Sequence, residues 1–187
     1  MMQTARWNIH DLTQMALLVA LLSASAYLAF PIPITLVSVT AQTLILNLTA
    51  LLLDRRKAAV TVTVWILLGA VGIPVFSGGR GGLAELVGPT GGYIFGFLIA
   101  AYLISLLKGR AFSLPRYLLV TLCVGIPVID LLGATWYKFF ADIGWSAAFV
   151  TAVLPFLPGD LIKGVAAVLV AKPVGVALSH IRKSTAA

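Results

Sequence analysis

The sequence predicts an all-α integral membrane protein, a single bundle of six transmembrane helices with both termini in the cytoplasm. Three observations carry that reading. Of 187 residues, 60% are hydrophobic and only 10% charged, with a mean hydropathy of +1.05, whereas a soluble domain carries about 25% charged residues. Apolar runs of roughly 20 residues, the length that crosses a bilayer, recur between breaks rich in charge, Gly or Pro. The basic residues crowd onto alternate breaks, the pattern of cytoplasmic loops. A β-barrel would need alternating polar and apolar positions, which are missing. A net charge of +7 on so apolar a chain faces an anionic leaflet rather than a nucleic acid.

The expected spans are 12–29, 37–53, 58–73, 89–107, 116–137 and 158–179. The first two are separated by Phe30-Pro31-Ile32-Pro33, the second and third by Asp54-Arg55-Arg56-Lys57, and the third and fourth by a Gly-rich loop. The segment from Lys108 to Pro115 precedes the fifth span, and an amphipathic, aromatic stretch near 138–157 precedes the last. No linker is long enough to divide the chain, so residues 1–187 form one domain. With the N-terminus inside, the cytoplasmic segments collect Arg6, Arg55, Arg56, Lys57, Lys108, Arg110, Arg116, Lys172, Arg182 and Lys183, ten of thirteen basic residues. Arg80 and Lys138 fall outside, and Lys163 lies within a span. A competing reading makes the apolar run from Met15 to Ala24-Ser25-Ala26 a cleaved signal peptide, although the basic region before it is weak.

Absences narrow the function. The loop from Gly78 to Gly92 is glycine-rich but has no GxxxxGK[ST] motif, so the chain is not expected to hydrolyse ATP itself. His10 and His180 sit near opposite ends of the chain, which excludes HExxH-type metal sites on spacing. Cys123 is the single cysteine, so neither a disulfide framework nor a thiolate metal site is expected. No cofactor is implied. Gly91-Gly92-Tyr93 has a faint likeness to a potassium filter but lacks the rest of that signature. Acid/base and nucleophile constellations are too sparse for an enzyme.

The strongest polar signal is Pro155-Phe156-Leu157-Pro158-Gly159-Asp160-Leu161-Ile162-Lys163, where the last span begins. Asp160 and Lys163 share one helical face, and intramembrane charges at a cost of at least ~2.5 kcal/mol each mark functional sites by default. The alternative is a structural ion pair, with Asp160 also favoured by the helix N-terminus. Carboxylate and ammonium together suit a compact neutral group with both N–H donors and a C=O acceptor, such as a urea or amide. Gln42 and Tyr93 are candidates to complete the pocket, with Trp136 and Tyr137 at the outer end of the fifth span as further candidates. Trp136, Tyr137 and Trp145 read as an interfacial belt, and Asp130 is a second buried carboxylate whose role the sequence leaves open. In Gly88-Pro89-Thr90-Gly91-Gly92-Tyr93 the glycines either thin a helix start or allow close backbone approach. Ala16, Ala20 and Ala24 form a small-residue ladder, either for internal packing or for docking a membrane partner.

Gly69-Ala70-Val71-Gly72-Ile73-Pro74-Val75-Phe76, with the Gly-rich loop and Gly88 to Phe97, resembles the signature of the BioY family, the biotin-specific substrate-binding subunits of energy-coupling factor (ECF) transporters. Thr40-Ala41-Gln42-Thr43 and the run from Pro155 to Lys163 match two further family motifs in order. Ser38 stands where Pro is expected and Asp54 where Gly is usual. The resemblance implies an S-component in a prokaryotic plasma membrane that captures biotin from outside. Its implied partners are a transmembrane coupling subunit and two ATP-binding-cassette ATPases, with Ala16, Ala20 and Ala24 as the docking face. The implied ligand contacts are Asp160, Lys163, Tyr93 and Gln42, with Arg80 near the biotin carboxylate. A stand-alone secondary carrier is the alternative.

Overall fold

In the computed structural model, which describes residues 7–184, nine α-helices and one two-residue hairpin follow in order. Arg6 lies outside the described residues, as do the side chains of His180, Arg182 and Lys183. Helix α1 (Ile9–Ser25) starts at Asn8, whose side chain accepts from Asp11 N while Asp11 returns a bond to the Asn8 backbone, a reciprocal cap that satisfies two orphan donors. The Asp11 carboxylate also meets Lys57 Nζ at 2.7 Å. That contact ties α1 to the start of α3 (Arg55–Ala70). Asp54 caps α3 by accepting from the Arg56 and Lys57 amides, so the residue that departs from the family pattern makes a sound helix start.

Strands β1 (Ala29–Phe30) and β2 (Val39–Thr40) pair antiparallel, with Ala29 opposite Thr40. The Pro-rich segment therefore joins two strands. This corrects the expectation of a span from residue 37: helix α2 is Gln42–Leu52, because the β-branched Val39 and Thr40 are taken up by the hairpin. Helix α4 (Leu83–Val87) lies in the Gly-rich loop, and α5 (Gly91–Leu107) follows it.

Helices α6 (Leu114–Val120) and α7 (Ile126–Ala141) run on through a wide π-turn at Thr121–Gly125, where the Ile126 amide bonds Thr121 O. Pro127 explains the turn. Its ring has no N–H and would collide with the carbonyl four residues back in a regular helix, and the wider turn moves that carbonyl aside. Helix α8 (Trp145–Ala152) and α9 (Leu157–Ser184) complete the chain. Leu114–Ala141 and Leu157–Leu178 are long and apolar enough to cross a bilayer, and α1, α2 and α5 are shorter apolar helices.

The helices bury Leu22, Leu46, Val62, Trp65 and Ile104 completely or nearly so. At α5 and α7 the packing is closer than side chains allow: a Cβ on Gly92 would lie 2.3 Å from Trp136 Cβ, and one on Gly96 3.2 Å from Ile129 Cα. The glycines at the start of α5 thus serve helix packing. At the opposite end of α5, Lys108 is buried, and its Nζ donates to Ala50 O at 2.9 Å, to Leu51 O at 2.6 Å and to Leu53 O. An ammonium there satisfies the free carbonyls of the α2 C-terminus and opposes its dipole. Burial pushes this ammonium down to about 8, with the Asp54 carboxylate pulling it back.

Lys108→Met is expected to lower stability by about 2–4 kcal/mol, since three carbonyls lose a charged donor. The check is thermal unfolding in detergent followed by circular dichroism. Because the unfolded chain holds the Lys108 proton more tightly, native stability should rise with pH from about 8 toward the ordinary lysine range, and that rise should vanish in the variant.

Candidate functional site

A cavity with about 580 Å³ of atom-free space, its open mouth included, lies at the end of the bundle away from Lys57 and Lys108. The chain builds it from five helices, α2, α3, α5, α7 and α9, and from the segments that connect them. One wall is aromatic. Trp65 on α3 meets Phe76 edge-on at 5.1 Å and stacks with Phe97 of α5 at 5.9 Å. Phe76 reaches this position because residue 69 is glycine, where a Cβ would come within 2.1 Å of its ring. The Val75 carbonyl holds the same corner, accepting from Trp65 Nε1 at 3.2 Å and from Gln42 Nε2 at 3.1 Å.

The opposite wall is Tyr93, which donates its hydroxyl hydrogen to Ala152 O and lies 6.2 Å from the Phe156 ring. Its ring rests on Gly133, where an added Cβ would come within 2.3 Å. The polar floor comes from α2 and α9. Lys163 Nζ stands 2.6 Å from Asp160 Oδ1, 2.9 Å from Thr40 O and 3.1 Å from Thr43 Oγ1. Three acceptors thus surround an ammonium with three hydrogens. The Asp160 contact is a charge pair without hydrogen-bond alignment, so Asp160 Oδ1 still has no aligned donor. Asp130 Oδ1 and Ser77 Oγ also line the cavity, buried and without partners. Buried polar atoms normally find a partner, so this lining is chemically incomplete. What it lacks is chiefly donors.

The structure therefore brings Asp160, Lys163, Tyr93 and Gln42 into one cavity. Arg80 is not among its lining residues. Gly78 and Gly79, at φ of +73° and +71°, fold their loop into a turn that sends Arg80 outward. Its Nε donates to Ser77 O at 3.1 Å and faces Glu85 Oε2 at 3.5 Å. The aromatic belt also needs correction. Tyr137 is buried, and Trp136 donates to Gly88 O at 2.9 Å, which leaves only Trp145 exposed as expected. Ala16, Ala20 and Ala24 share an exposed face of α1. Thr43, Ser77, Thr90 and the aromatic wall had no assigned role in the sequence reading. Thr43, Thr90, Phe76 and Phe97 lie inside the quoted motif runs, whereas Ser77 and Trp65 have no such signal. Among the described residues, no group of three His, Cys, Asp or Glu could hold a metal ion.

The sequence model of the BioY family matches residues 1–180. The chain is 36% identical over 178 residues to "Biotin transporter BioY2" of Lactococcus lactis subsp. cremoris (strain MG1363), covering 94% of this chain and 96% of that one. It is 38% identical over 165 residues to "Probable biotin transporter BioY" of Pyrococcus horikoshii, covering 87% and 94%. Its fold is similar to a solved structure described as the S-component for biotin from an ECF-type ABC transporter. The TM-score is 0.85 with 27% sequence identity, over 91% of this chain and 94% of that one.

Tyr93→Phe should lose one hydrogen bond, about 0.5–1.5 kcal/mol, whereas Gly133→Val should force the Tyr93 ring off α7 at about 1–3 kcal/mol. Combining them should cost less than their sum, because the valine will already have displaced the bond. Heat unfolding of the three variants measures this, and strict additivity would contradict the placement of the ring.

Proposed function

The chain belongs to the BioY family, and on that premise we propose that its cavity binds biotin as the substrate-capturing subunit of an ECF-type importer. The observation that carries the proposal is that Asp130 Oδ1 and Ser77 Oγ lie buried without hydrogen-bond partners beside the Asp160–Lys163 ion pair. A ureido ring has two N–H groups and one C=O. The carboxylates accept its N–H groups, and the apolar thiophane ring packs on Trp65 and Phe76. Thr43 accepts from Lys163, so its own hydroxyl hydrogen is left to donate to the ureido oxygen. The Lys163–Thr43 bond, the longest of the three around the ammonium, also yields readily to that oxygen. A contact from Arg80 to the valerate carboxylate requires Arg80 to leave Glu85 and Ser77, which closure of the Gly-rich loop has to supply.

The chain is a membrane protein, and the proposal extends to six crossings with both termini cytoplasmic. Helices α1, α2, α3 and α5, the continuous α6–α7 and α9 make the six. The side chains Lys57, Lys108, Arg110 and Lys172 lie at the end away from the cavity, which supports an outward-opening site. The exposed face of Ala16, Ala20 and Ala24 is the docking surface for the coupling subunit, with ATP hydrolysis in two further subunits.

Titrating the purified, ligand-free chain with biotin, following its tryptophan fluorescence and checking by calorimetry, tests the binding role. Asp160→Asn and Lys163→Ala should each weaken binding more than about tenfold, 1.4 kcal/mol. Native affinity in both would reduce the pair to a structural one. Ala20→Leu should keep biotin affinity yet abolish uptake by the assembled transporter, because a large side chain prevents close helix approach. Uptake by the chain alone in liposomes would favour the secondary carrier instead.

A further inference from the structure

At the end of the bundle away from the cavity, a groove opens between the α2 C-terminus, the α5–α6 turn and α9. Its floor is apolar and aromatic, formed by Leu51, Leu52, Ala171 and the edge-packed pair Phe112 and Tyr117, whose rings lie 4.8 Å apart. Its rim is cationic. Arg110 and Lys172 line it, with Lys172 Nζ 5.8 Å above the Phe112 ring. Gly109, at φ +81°, makes the turn that brings Arg116 alongside. A Cβ there would fall 2.8 Å from an Arg116 guanidinium nitrogen, and Arg116 Nε is held by Leu107 O at 3.0 Å.

Among the described residues, no acidic side chain lines this groove. The ion pairs at this end, Lys57 with Asp11 and Asp54, lie on the α1 and α3 starts, in the neighbouring pocket that Arg110 borders, and neither carboxylate lines this groove. Lys108, beneath the rim, spends its donors on α2 carbonyls and adds positive charge without offering bonds. Such a cationic rim over an apolar floor beside a membrane-spanning helix has one complementary occupant, an amphiphile with an anionic head and hydrocarbon tails. An acidic protein segment would match the rim but not the floor.

We propose that this groove is a binding site for an anionic phospholipid of the cytoplasmic leaflet. Arg110, Lys172 and Arg116 hold the phosphate, and an acyl chain lies on Phe112, Tyr117 and the outward face of α9. The site rests on the cytoplasmic placement of this end and not on biotin binding. Occupancy would brace the α5–α6 turn against α9.

The test places the full chain in phosphatidylcholine nanodiscs with and without phosphatidylglycerol, and measures retained lipid by native mass spectrometry together with the thermal unfolding midpoint. The native chain should retain phosphatidylglycerol preferentially and unfold at a higher temperature with it. Arg110→Gln with Lys172→Gln removes two charged donors from the phosphate and should weaken retention more than about tenfold. Arg55→Gln with Arg56→Gln, equal in charge but outside this groove, should weaken retention far less, by no more than the general attraction of the leaflet. Equal losses in the two double variants would mean general surface charge and overturn the site, as would native-level retention in the first. Glycerol phosphate in place of lipid should give no shift, and a shift from it would assign the rim to a free phosphate. Loss of coupling-subunit association with lipid retention intact would assign the groove to a protein partner. A biotin titration in the same nanodiscs separates failure of this site from failure of the biotin reading.

Discussion

The Lys163 ammonium is the constraint around which the site is organised. A bare cation in an apolar bundle is too costly to keep, so its position is set by the acceptors that reach it. Those acceptors come from three places: Asp160 one turn earlier on α9, Thr40 O at the end of the hairpin, and Thr43 in the first turn of α2. One side chain thereby joins the last helix to the second and to the loop between the first two. The early end of α2 follows from the same contact. The Thr40 carbonyl, which a longer helix would use internally, faces Lys163 instead.

Around that anchor the remaining walls are placed by close packing. Gly92 and Gly96 draw α5 onto α7, and Gly133 gives Tyr93 a flat seat. Gly69 does the same for Phe76. These positions use glycine for its missing Cβ. In the loop, by contrast, Gly78 and Gly79 are required for their positive φ. Phe76 and Tyr93 are consequently held at opposite sides of the cavity by helices that carry no polar group of the site at those points.

Much of this was legible in the sequence because insertion cost is local. Asp160 and Lys163 stand out in an apolar run, three residues apart, and their pairing follows from helix geometry alone. The apolar runs located the helices, since length and composition suffice for that. What could not be read was set by tertiary contact. Lys108 counted as an ordinary cytoplasmic charge until α2 was seen to end over it. Tyr137 looked like a belt residue, yet α8 folds back to cover it. Arg80 was placed near the ligand because it lies in the Gly-rich loop, but two left-handed glycines turn it toward Glu85. Ser77 has no pattern of its own, and only burial marks it.

The imbalance of the cavity also fixes how an asymmetric ligand must enter. Two carboxyl groups, Asp130 and Asp160, face one ammonium, and that ammonium is already surrounded by acceptors. A second anion at this depth would meet like charge in a poorly screened space. Biotin carries its donors at the ureido end and its negative charge at the end of the valerate. On the proposed biotin reading the ring goes in first, with the N–H groups toward the carboxyls, and the tail lies toward the mouth between the hairpin and the Gly-rich loop. On the same proposal selectivity resides in the floor: a ligand without N–H groups leaves Asp130 Oδ1 buried and unsatisfied, a penalty larger than the gain from an added good contact.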